Sequence, residues 1–300
     1  MFHSILVPLD GSTLAEQALP LAAAVAEQNK ASLCLAVVHP WGPAEDAPRA
    51  GTRADHKLRR EEGTYLNHLM QAVASAYRIP VCEAVLDGAA TGHTLVEYAR
   101  RRKIDLVVAS THDHGALGRF LSSGVARHLA HHARASVLFI KPQAGPLPSS
   151  LGGFRRVLVA LDGSPGSEAA LLPAAALAAR EKAVITLVRV IAGSGEPLEQ
   201  AGAEAKSYLE RLLPHQRQYH VQTEVLLADS AADAILAYAA AEGIELIALT
   251  TRRRGSAARA LFGSVADAVI QKAAVPVLVC HATSERAVTN DAVPSRDLWE

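Results

Sequence analysis

Cysteine and aromatic residues are scarce in this chain. Among 300 residues there are three cysteines, two tryptophans and two methionines, and aromatics make up 4%. Cys34, Cys82 and Cys280 are an odd, sparse set in apolar stretches. They argue against a disulfide framework, suit a reducing compartment, and read as small core residues. With so few aromatics, alanine, leucine and valine must fill the interior. That composition favours close packing of helices on a sheet over a large aromatic pocket. A surplus of one charge is also missing: 30 basic residues balance 30 acidic ones. A nucleic-acid partner is therefore not expected, since such proteins carry a basic excess. No apolar run approaches the roughly 18 residues that a membrane helix needs, so no membrane partner is expected. The opening "MFHSILVPLDGS" meets Asp10 too early for a signal peptide. The expectation is a soluble, cytoplasmic protein.

What the chain does have is an internal repeat. Residues 2–26 ("FHSILVPLDGSTLAEQALPLAAAVA") match residues 154–178 ("FRRVLVALDGSPGSEAALLPAAALA") at 14 of 25 positions. "IDLVVASTHDHGALGRFLSSGVA" at 104–126 aligns in turn with "IELIALTTRRRGSAARALFGSVA" at 244–266. The offset falls from 152 to 140, so the second copy is 12 residues shorter in its middle. A repeat of this length is a duplicated domain. The Pro/Gly/Ser-rich "PQAGPLPSSLGG" separates the copies. The organisation expected is a first domain over 1–142, a linker over 143–153, a second domain over 154–282 and a polar, disordered tail over 283–300.

Each copy alternates strand and helix patterns. In the first, apolar runs at 5–9, 32–38, 81–86, 105–110 and 136–140 read as strands, mostly without polar alternation, as in parallel strands buried on both faces. Helical spacing occupies 13–28, 54–77, 90–102 and 119–133, with Leu58, Leu66, Leu69 and Val73 on one face. Strands in the second copy are expected near 157–161, 184–190, 221–227, 245–250 and 276–280. The fold class is α/β: two tandem domains, each a doubly wound, open, parallel five-stranded sheet flanked by helices. Ligands of such sheets sit beyond the carboxyl ends of the strands, where strand order reverses. Two stretches per copy reach that crevice: "LDGS" at 9–12 and 161–164, and the segments 110–124 and 250–264. Asp-Gly-Ser also makes a tight turn with a helix-capping serine, and duplication would preserve either role.

These features together resemble the universal stress protein family. The resemblance rests on "ILVPLDGS" and "VLVALDGS", on "STHDHGALGRFLSSGVA" and "TTRRRGSAARALFGSVA", and on the closing strands "SVLFI" and "VPVLV". It spans nearly the whole chain outside linker and tail. Some members of that family bind ATP through a loop of pattern G-x-x-G-x9-G-(S/T), whose glycines let backbone amides approach phosphates. The first-strand aspartate and the end of the second strand hold the nucleoside.

Carried onto the first copy, the resemblance points to Asp10 and Val38 for the nucleoside and to Ser110, Asp113, Ser123 and Gly124 for the loop. The glycines are gone and Asp113 places negative charge where phosphates would lie, so ATP is not expected there. In the second copy the positions are Asp162, Val190, Thr250, Arg253, Gly263 and Ser264, with Arg254 adjacent. Gly263 and Ser264 keep the end of the loop pattern, and Arg253 or Arg254 could contact phosphate. ATP or another adenine nucleotide is thus a candidate ligand of the second domain. His112, His114, His128, His131 and His132 allow metal-like spacings, but no cysteine or carboxylate cluster completes a shell, and no metal is expected. No catalytic constellation is present. The resemblance implies a role in stress response. Three readings stand: a regulatory ligand- or partner-binding protein with a degenerate nucleotide pocket, a scaffold that binds no nucleotide, and a slow ATP hydrolase. The last strands of the two domains are expected to meet in an intramolecular pseudo-dimer, and a homodimer of chains is a further expectation by family analogy.

Overall fold

A computed structural model describes residues 2–40, 50–111, 123–141, 153–179, 182–192, 196–213, 219–251 and 264–281. The chain divides into two compact units, Met1–Leu151 and Gly152–Glu300.

In the first unit the strands are β1 (Ser4–Leu9), β2 (Ser32–Pro40), β3 (Val81–Gly88), β4 (Leu106–Ser110) and β5 (Ser136–Ile140). They lie side by side in the order β3-β2-β1-β4-β5, and every pair is parallel. β1 is central. It pairs β2 from Ser4↔Ser32 to Leu9↔Val37, and β4 at Ile5↔Leu106 and Leu6↔Val107. Leu6, Val7, Leu33, Leu35, Val107 and Leu138 are completely buried. That is the double-sided burial that unalternating apolar runs require. β3 alternates more and is only half-buried, as suits an edge strand.

The helices are α1 (Thr13–Glu16), α2 (Ala18–Asn29), α3 (Arg53–Ala76), α4 (Thr91–Arg101) and α5 (Ser123–His132). A single helix was expected over 13–28. The structure instead breaks it at Gln17, which is a turn, and a new helix begins just ahead of Pro20. Proline is tolerated there because a first-turn amide has no partner inside the helix. α3 is capped by Thr52, whose hydroxyl accepts from the Asp55 amide at 3.2 Å. Leu66 and Val73 on the expected face are buried; Leu58 and Leu69 are half-buried.

The second unit repeats the plan with β6 (Arg156–Ala160), β7 (Val184–Ile191), β8 (His220–Leu227), β9 (Leu246–Thr251) and β10 (Val277–His281), ordered β8-β7-β6-β9-β10 and parallel throughout. A 3-10 turn (Ser167–Ala170) and α6 (Leu171–Leu177) replace α1 and α2. They are followed by α7 (Glu196–Arg211), α8 (Ala231–Ala241) and α9 (Ser264–Lys272). α7 has 16 residues against 24 in α3, which accounts for eight of the 12 residues by which the second copy is shorter. Both units stitch the start of the central strand to its neighbour with a carboxylate. Asp105 accepts from the amides of His3 and Ser4 at 2.7 and 3.0 Å, and Glu245 accepts from that of Arg155 at 2.6 Å.

Leu66 is fully buried, so Leu66→Ala should cost roughly 2–5 kcal/mol. Leu58→Ala, at a half-buried position of the same helix, should cost clearly less. Urea unfolding midpoints of the two variants check this, and equal losses would show that α3 packs by another face.

Candidate functional site

In both units the crevice is built on the turn that follows the central strand. Gly11 and Gly163 hold φ of 80° and 84°, a left-handed conformation that other residues rarely adopt. The turn brings each serine back to the aspartate two residues earlier. Asp10 Oδ1 accepts from the Ser12 amide at 2.9 Å and from its hydroxyl at 2.5 Å; Asp162 Oδ1 accepts from Ser164 at the same two distances. Ser12 Oγ in turn accepts from the Ala15 amide and caps α1. The turn therefore holds in both copies, but the cap only in the first: in the second the Ser167 amide and hydroxyl reach the Ser164 carbonyl, and no side chain caps the 3-10 turn. One oxygen of each carboxylate is committed to the fold.

The second oxygen differs between the domains. Asp10 Oδ2 is buried and has no hydrogen-bond partner among the described residues, and the same is true of Ser110 Oγ at the end of β4. β1 and β4 are neighbours at the point where strand order reverses. The first domain thus has two buried, unpartnered polar atoms at the ends of these strands. Unmade hydrogen bonds of this kind cost about 1–3 kcal/mol each and favour a polar occupant. In the second domain Asp162 is exposed and Arg189 of β7 stands over the turn. A Cβ added to Gly163 would come within 2.8 Å of the guanidinium carbon, which also lies 5.5 Å from the centre of the Tyr208 ring.

Each long crossover helix contributes a tyrosine to this end of the sheet. Tyr208 of α7 donates to Glu168 Oε1 at 3.1 Å. Burial holds the Glu168 carboxyl above its usual range and the Tyr208 phenol well above its own. Tyr65 of α3 has the corresponding place beside Glu16 and Asp10, and burial, reinforced by those two charges, holds its proton well above the usual phenol range. Its hydroxyl is buried without a partner of good geometry among the described residues. Neither glutamate nor tyrosine stood out in the sequence.

At the end of β2, Val38 is buried, and the next residue anchors α3. His39 is completely buried, with Nε2 2.8 Å from Asp55 Oδ1 and Nδ1 2.6 Å from Glu62 Oε2. A neutral imidazole can donate only once, so this sandwich is fully satisfied when the ring carries both protons or Glu62 keeps its own. Asp55 Oδ2 also accepts from the Gly51 amide at 2.9 Å. The hydrogen bonds from His39 and then Gly51 lower the Asp55 carboxyl, whereas burial raises that of Glu62. The second domain has Ile191 at this position, and its Val190 is half-buried.

Asp10, Val38 and Ser110 are brought to one edge of the first sheet, and Asp162, Val190 and Thr250 to one edge of the second. Ser123, Gly124 and Ser264 begin α5 and α9. Asp113, Arg253, Arg254 and Gly263 lie outside the described residues, as do His112 and His114. The His128 ring lies 4.4 Å from that of His132 and 6.4 Å from that of His93, and burial followed by these two neighbours lowers its pKa. Among the described residues no group of three His, Cys, Asp or Glu side chains could hold a metal ion, and no helix is long and apolar enough to cross a membrane.

A 3-2-1-4-5 parallel sheet with an acidic turn at its switch point defines a doubly wound α/β domain, here present twice. The family model described as the universal stress protein family matches residues 1–141 and 153–281, and the chain belongs to that family. It is 27% identical over 297 residues to a universal stress protein of Mycobacterium bovis, covering 93% of this chain and 97% of the relative. One from Methanocaldococcus jannaschii is 26% identical over 142 residues, covering 47% of this chain and 83% of that protein. Among solved structures, a universal stress protein from Archaeoglobus fulgidus superposes with a TM-score of 0.71 at 17% identity, over 93% of this chain and 98% of that one. A functionally unknown protein from Pseudomonas aeruginosa gives 0.61 at 20% identity, over 93% and 92%. These likenesses show the fold.

The two carboxylates that clasp His39 should respond differently to neutralisation. Asp55, whose folded pKa lies below its ordinary value of about 3.9, adds stability that is present above that value and lost as pH falls through the folded pKa. Glu62 has the opposite sign: its raised pKa favours the fold at low pH, and that contribution is lost as pH rises through the folded value. At pH 7 Asp55→Asn should therefore lower the urea midpoint more than Glu62→Gln does. The gap should narrow as the medium is taken below about pH 4. Equal losses at both pH values would refute this division.

Proposed function

We propose that this universal stress protein is a regulatory ligand- or partner-binding protein with degenerate adenine-nucleotide pockets. The observation that carries the reading is the turn itself. In both domains one oxygen of the acidic residue is engaged by its own serine. The residues at the glycine positions of the phosphate loop support it further: Ser110, Asp113 and Ser123 in the first domain, Thr250 and Arg253 in the second. Binding of a nucleotide then rests on contacts other than a backbone cradle. In the second domain these are cations: Arg189 at the turn, and Arg253 and Arg254 in the loop sequence. Among the described residues no group of three His, Cys, Asp or Glu side chains could hold a metal ion for ATP hydrolysis.

The unpartnered Asp10 Oδ2 and Ser110 Oγ favour a second reading for the first domain, a small polar ligand without a triphosphate. Calorimetry with ATP, AMP and adenosine tests both readings. ATP should bind weakly, with a Kd no tighter than about 0.1 mM, roughly 5.5 kcal/mol, and should weaken as salt is raised. Arg189→Ala should reduce what binding there is. Micromolar ATP affinity indifferent to salt, or phosphate release above a protein-free blank, would overturn the proposal.

A further inference from the structure

A pair of thiols lies at the other end of the first sheet, near the starts of β2 and β3. Cys34 and Cys82 are direct partners in the register of these two parallel strands. Side chains of register partners leave the sheet on the same face, and adjacent strands run about 4.8 Å apart. That spacing falls inside the Cα separation of about 4.4–6.8 Å that a disulfide spans. Both thiols are free. Cys34 is buried, and its sulfur lies 3.2 Å from the Tyr98 hydroxyl of α4. Cys82 is half-exposed on the edge strand, and Arg102, at the end of α4, lies beside it.

The second domain carries the same frame without the chemistry. At the corresponding register pair it has Thr186 and Gln222, whose amide donates to the threonine hydroxyl at 2.9 Å. Tyr238 occupies the place of Tyr98 beside Thr186, and Glu242 replaces Arg102. The tyrosine is common to both copies, so it serves the packing. Two thiols and a cation are peculiar to the first copy. Packing alone does not call for a cation at the exposed thiol.

We propose that Cys82 and Cys34 form a peroxide-responsive dithiol, in which Cys82 on the edge strand is the attacking thiol and the buried Cys34 resolves it into an intradomain disulfide. The Cys82 thiolate attacks one oxygen of a hydroperoxide. An S–O bond forms, the O–O bond breaks, and the departing hydroxide or alkoxide takes up a proton as water or alcohol. Cys34 sulfur then attacks the Cys82 sulfenic acid. The S–S bond forms, the S–O bond breaks, and hydroxide leaves with the Cys34 proton as a second water. The two thiols together lose two electrons and two protons, and the peroxide is reduced. The division of roles follows the environment. The hydrogen bond from Cys34, with Arg102 nearby, draws the Cys82 thiol down, while that same contact and burial push Cys34 up. A thiolate beside a cation on an accessible edge is the reactive partner in such pairs.

The full chain treated with a slight excess of hydrogen peroxide, then denatured and alkylated with N-ethylmaleimide, tests this. Cys280 alone should be labelled, peptides holding Cys34 and Cys82 should be recovered linked, and dithiothreitol should restore three labelled cysteines. In Cys34→Thr, which places the second domain's residue in the pair, Cys82 should accumulate as a sulfenic acid trapped by dimedone. Arg102→Glu should slow alkylation of Cys82 by iodoacetamide several-fold relative to wild type, with the fold confirmed by an unchanged circular dichroism spectrum. Three labelled cysteines after peroxide, or a bridge between chains in place of the intradomain one, would overturn the proposal. So would a Cys82 in Cys34→Thr that dimedone does not trap faster than Cys280.

Discussion

Everything at the carboxyl edge of these sheets depends on one contact, the hydrogen bond between an aspartate and the serine two residues beyond it. Asp10 and Asp162 each take both the amide and the hydroxyl of that serine. A glycine in left-handed conformation makes the reach possible. The contact follows the end of the central strand, precedes the next helix or 3-10 turn, and engages one carboxylate oxygen of each aspartate. Ligand chemistry in either crevice has only what that commitment leaves. In the first domain this is a buried Asp10 Oδ2 and a buried Ser110 hydroxyl, neither with a partner among the described residues; in the second it is the exposed Asp162 carboxylate and the Arg189 guanidinium over the turn. Two nearly identical turns thus face different chemistry because their neighbours have diverged.

The divergence is systematic. β2 and β7 share register, and Leu33–Ala36 and Ile185–Val188 are buried alike, yet Val37, His39 and Cys34 stand where Arg189, Ile191 and Thr186 stand in the other copy. Burial of the sheet constrains the apolar positions between them, such as Leu33, Leu35, Ile185 and Leu187, which remain interchangeable. The ends and edges are released from that constraint and carry the differences: a histidine locked between two carboxylates in one domain, a cation over the turn in the other, and a thiol pair answered by a threonine and a glutamine.

The strands were legible because runs such as "ILVPL" and "SLCLAVV" are apolar without alternation, which only a two-sided buried strand sustains. The turn was legible because Asp-Gly-Ser has a narrow set of backbone solutions. The contacts that give the site its character were not. Tyr65 and Glu16, or Tyr208 and Glu168, come together only once the crossover helix has returned to the sheet. His39 ends an apolar strand and shows nothing of its partners Asp55 and Glu62 until α3 lies over it. Cys34 and Cys82 read as separate core residues, and only the strand register places them side by side. Even the first helix, continuous by its periodicity, is divided by a turn at Gln17, which hydrophobic spacing does not register.

A double-mutant cycle between Asp10 and Ser12, measured by urea unfolding of Asp10→Ala, Ser12→Ala and the double variant, tests the central contact directly. The account predicts a coupling on the order of 1.5–3 kcal/mol, the range for hydrogen bonds to a charged group. Losses that simply add, within about 0.5 kcal/mol, would mean that the Ser12 hydroxyl does not hold the carboxylate, and would contradict the account.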